Sequence, residues 1–586
     1  MIRKRHVILA ILAITLIGSL YLGWQAKRAF GEISIEKYDI VRSNGRIVSF
    51  RVYAPTSNTY GQPRPTVITI HGISGSGPTM DPFNIELARR NFTVVSVDLS
   101  GHGRSSETFG FEALLDAAAD AYDAARYMQA NDPDTDDTIY GVLGHSLGAG
   151  VSLLFQNMSI LPQSTVLIGG GMGSNFGSLV PTINETSPTN LLLATGVYDE
   201  LVSPQLATDT LAQATGQPAP DPHVTYGNFT EGTARKLTVS LTNHLFETSD
   251  PTIVAESVDW LVRSLQGETQ REESTLDPSR QVYGIASLAD LAATVSLVAG
   301  LFPVLLISYS VLNQKLQPER VSEAPVSLQK KTGLRYNVVV GIATAVLFLV
   351  MLLMGQLLEF GGLAIVPVSF STGLTLISVV SALIVFRLSR RYLDGTMIAS
   401  LTPVFRGKTN RERLPELGRA VLAILPVAVW LFLWSFVARL GFDSALPFTF
   451  AVDSGAAVFR LLYFLPLVIL MLPLFYADAL WLNAVIGTLS PWQSYRSLLV
   501  TSLRALFSRL VGLGILIATL YIPFLLGVQL GFIMFIALLM LPFAVIFGLT
   551  TLLTVWTNGI TRSNITAALL NSVLLAIIIA STFQLL

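Results

Sequence analysis

The residues best placed to do chemistry centre on one serine. Gly144-His145-Ser146-Leu147-Gly148, continued by Ala149-Gly150, has the G-x-S-x-G spacing of a nucleophile elbow. Residues 138–144 (TIYGVLG) ahead of it read as a strand, and residues 147–158 after it as a helix. A hydroxyl thrust out at such a turn needs small neighbours, because strand and helix close on each other there. Ser146 is the expected nucleophile.

A serine hydroxyl is a weak nucleophile at neutral pH and needs a histidine base, itself oriented by a carboxylate. The order expected along the chain is serine, acid, histidine. The strand NLLLATG (190–196) runs into Val197-Tyr198-Asp199-Glu200, so Asp199 is the expected acid and Glu200 its nearest competitor. The strand RKLTVSL (235–241) runs into Thr242-Asn243-His244, and His244 is the expected base. His223 lies in an irregular proline-containing stretch and is expected to be incidental.

An oxyanion hole needs backbone N–H donors aimed at developing charge. Leu147 N–H, just after the nucleophile, is one expected donor. The second should come from the glycine-rich turn His71-Gly72-Ile73-Ser74-Gly75-Ser76-Gly77, where Ile73 is preferred and Ser74 is the alternative. His71, Gly72, Gly144, His145 and Gly148 are expected to line the same loops. Asp98, His102 and Arg104, in a turn of their own, are expected to fix a loop by hydrogen bonds.

These residues need a scaffold, and the surrounding pattern supplies one. Residues 33–41 and 46–53 flank Ser43-Asn44-Gly45, a hairpin signal. TVITIH (66–71) and FTVVSVD (92–98) are unbroken apolar runs, as expected of strands buried on both faces. Another strand is expected at 164–170, and helices at 81–90, 111–130 and 252–265. Strands alternating with helices imply an α/β fold, a mostly parallel sheet with helices on both faces. Sites in such sheets lie beyond the carboxyl ends of the strands.

Taken in order, H-G-I-S-G, D-L-S-G-H-G-R-S, G-H-S-L-G, the Asp199 loop and His244 resemble the α/β-hydrolase superfamily. The nearest likeness is to its serine aminopeptidase, monoacylglycerol lipase and dienelactone hydrolase-like branches. The resemblance covers residues 35–265 and implies a Ser146–Asp199–His244 triad. Many members insert a helical cap after the strand corresponding to 164–170. Here only Gly171 to Thr189 lie before the next strand, too short for one. The site is expected to be open, or covered by residues 203–234 with Tyr226 and Phe229, or covered by the rest of the chain.

The rest of the chain is unlike this segment. Of 586 residues, 51% are hydrophobic and only 13% charged, about half the charge of an average soluble domain. The deficit lies in apolar stretches near 7–24, 287–312, 336–357, 363–386, 420–440, 457–486, 510–527, 531–556 and 565–585. Each is long enough, or nearly so, to cross a ~30 Å hydrocarbon core. The organisation expected is an N-terminal anchor (1–30), a catalytic domain (31–265), a linker (266–282) and a polytopic all-α transmembrane domain of about eight helices (283–586). Basic residues crowd alternate connections: Arg3 to Arg5, Lys315 to Arg335, Arg387 to Arg419, Arg496 to Arg509, and Arg562. The positive-inside tendency then sets the N-terminus in the cytoplasm and residues 31–280 outside, in a multi-pass protein of the cell membrane. Asp290, Arg460 and Asp478 are the charges within or beside spans, where ionisable groups are functional candidates.

Net charge of −1 gives no electrostatic basis for nucleic-acid binding. The absence of cysteine excludes a Cys nucleophile, disulfides and Cys-ligated metals. The six histidines fall outside the eight later spans, which disfavours an intramembrane zinc protease. The expected activity is ester hydrolysis through an acyl-enzyme, with no cofactor or metal and with the bilayer and an acyl ester as partners. A peptidase or an acyltransferase is the alternative on the same fold. A transporter or assembly protein using the domain for binding is the alternative of another class.

Overall fold

The fold was read from a computed structural model, which describes residues 2–43, 45–57, 63–73, 75–106, 114–172, 180–267, 276–315, 410–444, 446, 457–489, 494–528 and 533–582. Eight strands form one mixed sheet: β1 (Ile33–Val41), β2 (Ile47–Pro55), β3 (Arg64–Ile70), β4 (Thr93–Val97), β5 (Thr135–His145), β6 (Ser164–Ile168), β7 (Leu191–Gly196) and β8 (Arg235–Ser240). Their spatial order is β1-β2-β4-β3-β5-β6-β7-β8. β2 runs antiparallel to both its neighbours, β1 and β4, and all other pairs are parallel. This is the mostly parallel sheet that the alternation of elements implies, and it fits the α/β-hydrolase fold that the resemblance implies.

Continuous apolar runs are buried on both faces because helices cover both. Val67, Val94 and Leu143 face the core that contains Phe83 and Leu87 of α2 (Asp81–Ala88) and Val258 of a closing helix at Pro251–Leu261. Their neighbours Ile68, Val95 and Val142 point the other way. There they meet Ala118 and Ala121 of α3 (Leu114–Asn131) and Val151 of α4 (Leu147–Leu154). One helix was not expected: α5 (Pro204–Thr215), capped by Ser203 Oγ, which accepts Leu206 N–H at 3.2 Å. Its Ala207, Leu211 and Ala214 are buried in the core with Leu193 and Leu237. Beyond it, Phe229 packs against Trp260 at 4.7 Å and Tyr226 pairs with Arg235, at the strands' amino ends. Residues 203–234 therefore flank the sheet, and do not cover its carboxyl edge. The helix at Pro251–Leu261, α6, lies with α2 on the opposite face from α5.

Six described helices are long and apolar enough to cross a membrane. They are α1 (Ile2–Lys27), α7 (Tyr283–Lys315), α8 (Asn410–Phe436), α10 (Tyr495–Leu525), α11 (Ile533–Thr561) and α12 (Asn564–Thr582). A seventh helix, α9 (Ala457–Ile486), contains the shorter apolar stretch Phe464–Leu480. Leu16, Leu297, Val427, Met471 and Leu574, from five of these helices, share one core. Val7, Ile8, Ile11 and Ile14 of α1 point outward, bare of protein, as lipid-facing residues do. The expected spans at 336–357 and 363–386 lie outside the described residues.

Two expectations change here. Arg496, Arg504 and Arg509 do not sit in a loop: α10 begins at Tyr495 and carries all three. Arg509 is held by Asp478 of α9 at 2.9 Å and lies over Phe547, so the two charges compensate each other within the bundle. Asp290 likewise pairs with Lys27 at 2.8 Å and accepts a hydrogen bond from Ser444.

The sheet domain is tied to the helices at one end of the bundle. Glu86 of α2 accepts the N–H groups of Val282 and Tyr283 at 2.7 and 3.2 Å, capping α7. Asp443, just past α8, takes Lys37 at 2.7 Å and Arg51 at 3.4 Å. Tyr521, one turn from the end of α10, donates to Glu200 at 2.6 Å.

Candidate active site

β5 delivers Ser146 into a turn with φ 55° and ψ −115°, a conformation that L-residues other than glycine rarely hold. Ser146 N–H anchors it by donating to Ile168 O of β6 at 2.8 Å. The flanking glycines are required by space: a Cβ at Gly144 would collide with Gly148 O, and one at Gly148 with Ile70 O. The strained turn holds the hydroxyl at the start of α4, above the carboxyl edge of the sheet.

Three sequence-predicted residues meet there. Ser146 Oγ lies 2.9 Å from His244 Nε2. His244 Nδ1 lies 3.2 Å from Asp199 Oδ2. Asp199 is fully buried and accepts Leu201 and Val202 N–H at 2.7 and 2.9 Å through Oδ1, and Thr195 Oγ1 at 3.2 Å through Oδ2. Burial pushes its pKa up, but the His244 charge and these hydrogen bonds outweigh burial and hold it below the ordinary value. An ionised Asp199 fixes the Nδ1–H tautomer and leaves Nε2 free to accept the Ser146 proton.

Glu200, the competing acid, meets His244 at its backbone. Its Oε2 accepts His244 backbone N–H at 3.3 Å and its Oε1 accepts Tyr521 Oη. It steadies the histidine from behind, and burial raises its pKa.

The expected oxyanion donors are also at hand. Leu147 N–H opens α4, and among the described residues neither it nor Ile73 N–H meets a protein acceptor. Gly72 brings the second loop against the nucleophile: a Cβ there would stand 3.1 Å from Ser146 Cβ. Ser74, the alternative donor, lies outside the described residues. His71 organises this loop and does not reach the triad. Its Nδ1–H donates to Gly72 O at 2.7 Å and its Nε2 accepts Leu99 N–H at 3.1 Å. Asp98 accepts Gly77 and Arg104 N–H at 2.6 and 2.9 Å, a loop-fixing role as expected.

One buried acid escaped the sequence reading. Glu247, three residues after His244, accepts Gly196 N–H at 2.7 Å through Oε1. Its Oε2 lies 3.6 Å from His244 Nδ1 and 3.4 Å from His145 Nε2, without a donor of its own. Burial, then the Asp199 charge, pushes Glu247 well above its ordinary pKa, which favours its protonated form. In that form it can donate to Asp199, whose pKa is held down. The only signal for this in the sequence was an acid one turn beyond the histidine.

His145 stacks on His244 with ring centroids 4.9 Å apart, and its Nε2–H donates to His244 O at 3.2 Å. Burial, then the neighbouring His244, lowers it to about 3, so it stays neutral. His145, His244 and Glu247 bring ligand-type atoms close enough to share an ion. The set does not suit one, because both His244 ring nitrogens are engaged, by Ser146 and by Asp199.

Residues 67–310 match the model of the alpha/beta hydrolase family, from β3 into α7. No curated protein matches the chain. Among solved structures, a bacterial heroin esterase is 17% identical, over 40% of this chain and 85% of its own, with TM-score 0.30. An esterase of Pyrococcus furiosus is 17% identical, over 40% and 95%, with TM-score 0.31. A cold-adapted esterase from an Arctic intertidal metagenomic library is 19% identical, over 40% and 95%, with TM-score 0.29. Likeness at this level carries no argument about substrate.

Proposed function

We propose that this chain is a membrane-bound serine hydrolase that cleaves an acyl ester through Ser146, His244 and Asp199. The observation that carries the reading is the hydrogen-bonded line from Ser146 Oγ through His244 to buried Asp199. Ser146 Oγ attacks the acyl carbon while His244 Nε2 takes its proton. Leu147 and Ile73 N–H groups stabilise the oxyanion. The intermediate collapses, the ester C–O bond breaks, and the alkoxide leaves with the proton from His244. Water, deprotonated by His244, then attacks the acyl-enzyme, and the carboxylic acid departs as Ser146 regains its proton. Asp199 stays ionised throughout and stabilises the imidazolium.

The same reading sets the catalytic domain outside the cytoplasm. Its ties to the bundle fall at the start of α7 (Tyr283), just past α8 (Asp443) and near the end of α10 (Tyr521), and α1 leads into the domain at Lys27. Basic residues gather at the opposite ends: Arg3 to Arg5, Lys315, Arg411 to Arg419, Arg496, Arg504 and Arg562. Lys27, paired with Asp290, and Arg28 and Arg439, each near Asp443, are exceptions with acidic neighbours.

Turnover of a 4-nitrophenyl ester by the full chain tests the mechanism. Ser146→Ala and His244→Ala are each expected to lower kcat on the order of 10⁴-fold or more. Turnover retained in a folded Ser146→Ala protein would contradict it.

A further inference from the structure

The loops that carry the acid and the base also carry bare apolar side chains. After β7, Val197 and Tyr198 are about two-fifths exposed, at 41% and 42%. After β8, Leu241 is 78% exposed and Phe246 61%, with Leu245 between them also open. Val197 N–H donates to Ser240 O at 2.8 Å and Tyr198 N–H to Thr242 O at 3.0 Å, which ties the two loops together. The five side chains therefore share one rim, on the edge of the sheet that holds Ser146.

This rim adjoins a membrane span. Glu200, one residue past Asp199, accepts Tyr521 Oη of α10 at 2.6 Å while holding His244 N–H. Only Glu200 and His244 separate Tyr521, near the end of α10, from the nucleophile. Beside Tyr521, Ile522, Leu525 and Leu526 are exposed as well, so the Tyr521–Glu200 bond brings a second group of bare apolar side chains to the catalytic loops. The end of a span marks where hydrocarbon gives way to headgroups, and tyrosine favours that depth. Exposed apolar surface gathered at one place marks a contact with something apolar.

Resting on the hydrolase reading above, we infer that the substrate is an ester lipid of the bilayer. Its ester group rises to Ser146 while its acyl chain lies along the Leu241–Phe246 rim toward the hydrocarbon. Hydrolysis breaks the acyl C–O bond, adds one water, and releases a fatty acid and the headgroup alcohol. The bond from the catalytic loops to α10 favours lipid over a soluble protein or a second copy, either of which would need no span beside the site.

The test uses the full chain reconstituted in vesicles of ether-linked phosphatidylcholine, which it cannot hydrolyse. The vesicles carry 4-methylumbelliferyl oleate, and the soluble comparison is 4-nitrophenyl acetate. Wild type is expected to favour the oleoyl ester in kcat/KM by about tenfold or more. Leu241→Ser combined with Phe246→Ser is expected to lower the oleoyl-to-acetyl rate ratio about tenfold. Leu161→Ser, an exposed leucine at the other end of the sheet, is expected to leave the ratio unchanged. Equal loss on both esters in the rim variant, or a wild-type preference for the acetyl ester, would overturn the inference. So would a rim variant that changes only the oligomeric state, which would make the rim a contact between copies. Fluorophosphonate labelling separates the two readings. A wild type that labels yet ignores the oleoyl ester overturns this inference alone, and one that does not label overturns the hydrolase reading beneath it.

Discussion

Glu247 is where the chemistry of single residues can be probed most sharply. It lies buried beside Asp199, where burial and the Asp199 charge raise its pKa and favour its protonated form. Glutamine can replace both functions, since its carbonyl accepts Gly196 N–H and its amide donates to Asp199. Glu247→Gln is therefore expected to keep kcat within about tenfold, whereas Glu247→Leu strands Gly196 N–H and should cost on the order of 1–3 kcal/mol. The pH dependence has a definite sign. Below the ordinary carboxyl range, folded and unfolded chains both hold the Glu247 proton. As pH rises through that range, the unfolded chain releases it and the folded one keeps it, so folding loses stability. Glutamine has no such loss. The Tm advantage of Glu247→Gln over wild type is expected to grow between about pH 4 and pH 7, and a constant or shrinking advantage would contradict a protonated Glu247. For Asp199→Asn, kcat is expected to fall roughly 10³–10⁴-fold, because the wrong imidazole tautomer is favoured.

At the scale of elements, the sequence was most legible where a site is written in consecutive residues. G-H-S-L-G declares its own turn, and Asp199 and His244 each follow an apolar β-branched or leucine-rich strand. Long-range contacts left no such trace. Nothing in the chain near Tyr521 indicates that it meets Glu200 across 321 positions. α5 was missed because its flanks, Ser203-Pro204 and Gly216-Gln217-Pro218, read as loop. The start of α10 was missed because three arginines dilute its apolar character, and only the Asp478 partner reveals why one of them is tolerated in the bundle. The α10 contact carries its own expectation. Tyr521→Phe removes a charge-assisted hydrogen bond worth about 1.5–3 kcal/mol and loosens the support behind His244, so kcat should fall several-fold. Thr519→Val, the same kind of loss two residues away on an exposed face, should not matter. A double-mutant cycle with Glu200→Gln checks the link, because non-additivity is expected only if the two side chains act together.

For the whole molecule, the helices and the domain constrain each other. α1 enters at one face of the bundle and leads into the sheet at the other, and the ties of Tyr283, Asp443 and Tyr521 to the sheet domain lie on that second face. The chain contains no cysteine, so single cysteines report topology without background. Asn228→Cys, exposed on the sheet domain, is expected to react with an impermeant maleimide on intact cells. Arg562→Cys, between α11 and α12, should react only after permeabilisation. The reverse pattern would invert the proposed orientation.

The central claim is that Ser146 is a nucleophile made reactive by its surroundings. Labelling of the full-length protein with a fluorophosphonate, followed by peptide mapping, measures that directly. A single adduct on Ser146 is expected, abolished in Ser146→Ala and slowed at least tenfold or so in His244→Ala. An adduct on another residue, or none on folded wild-type protein, would contradict it.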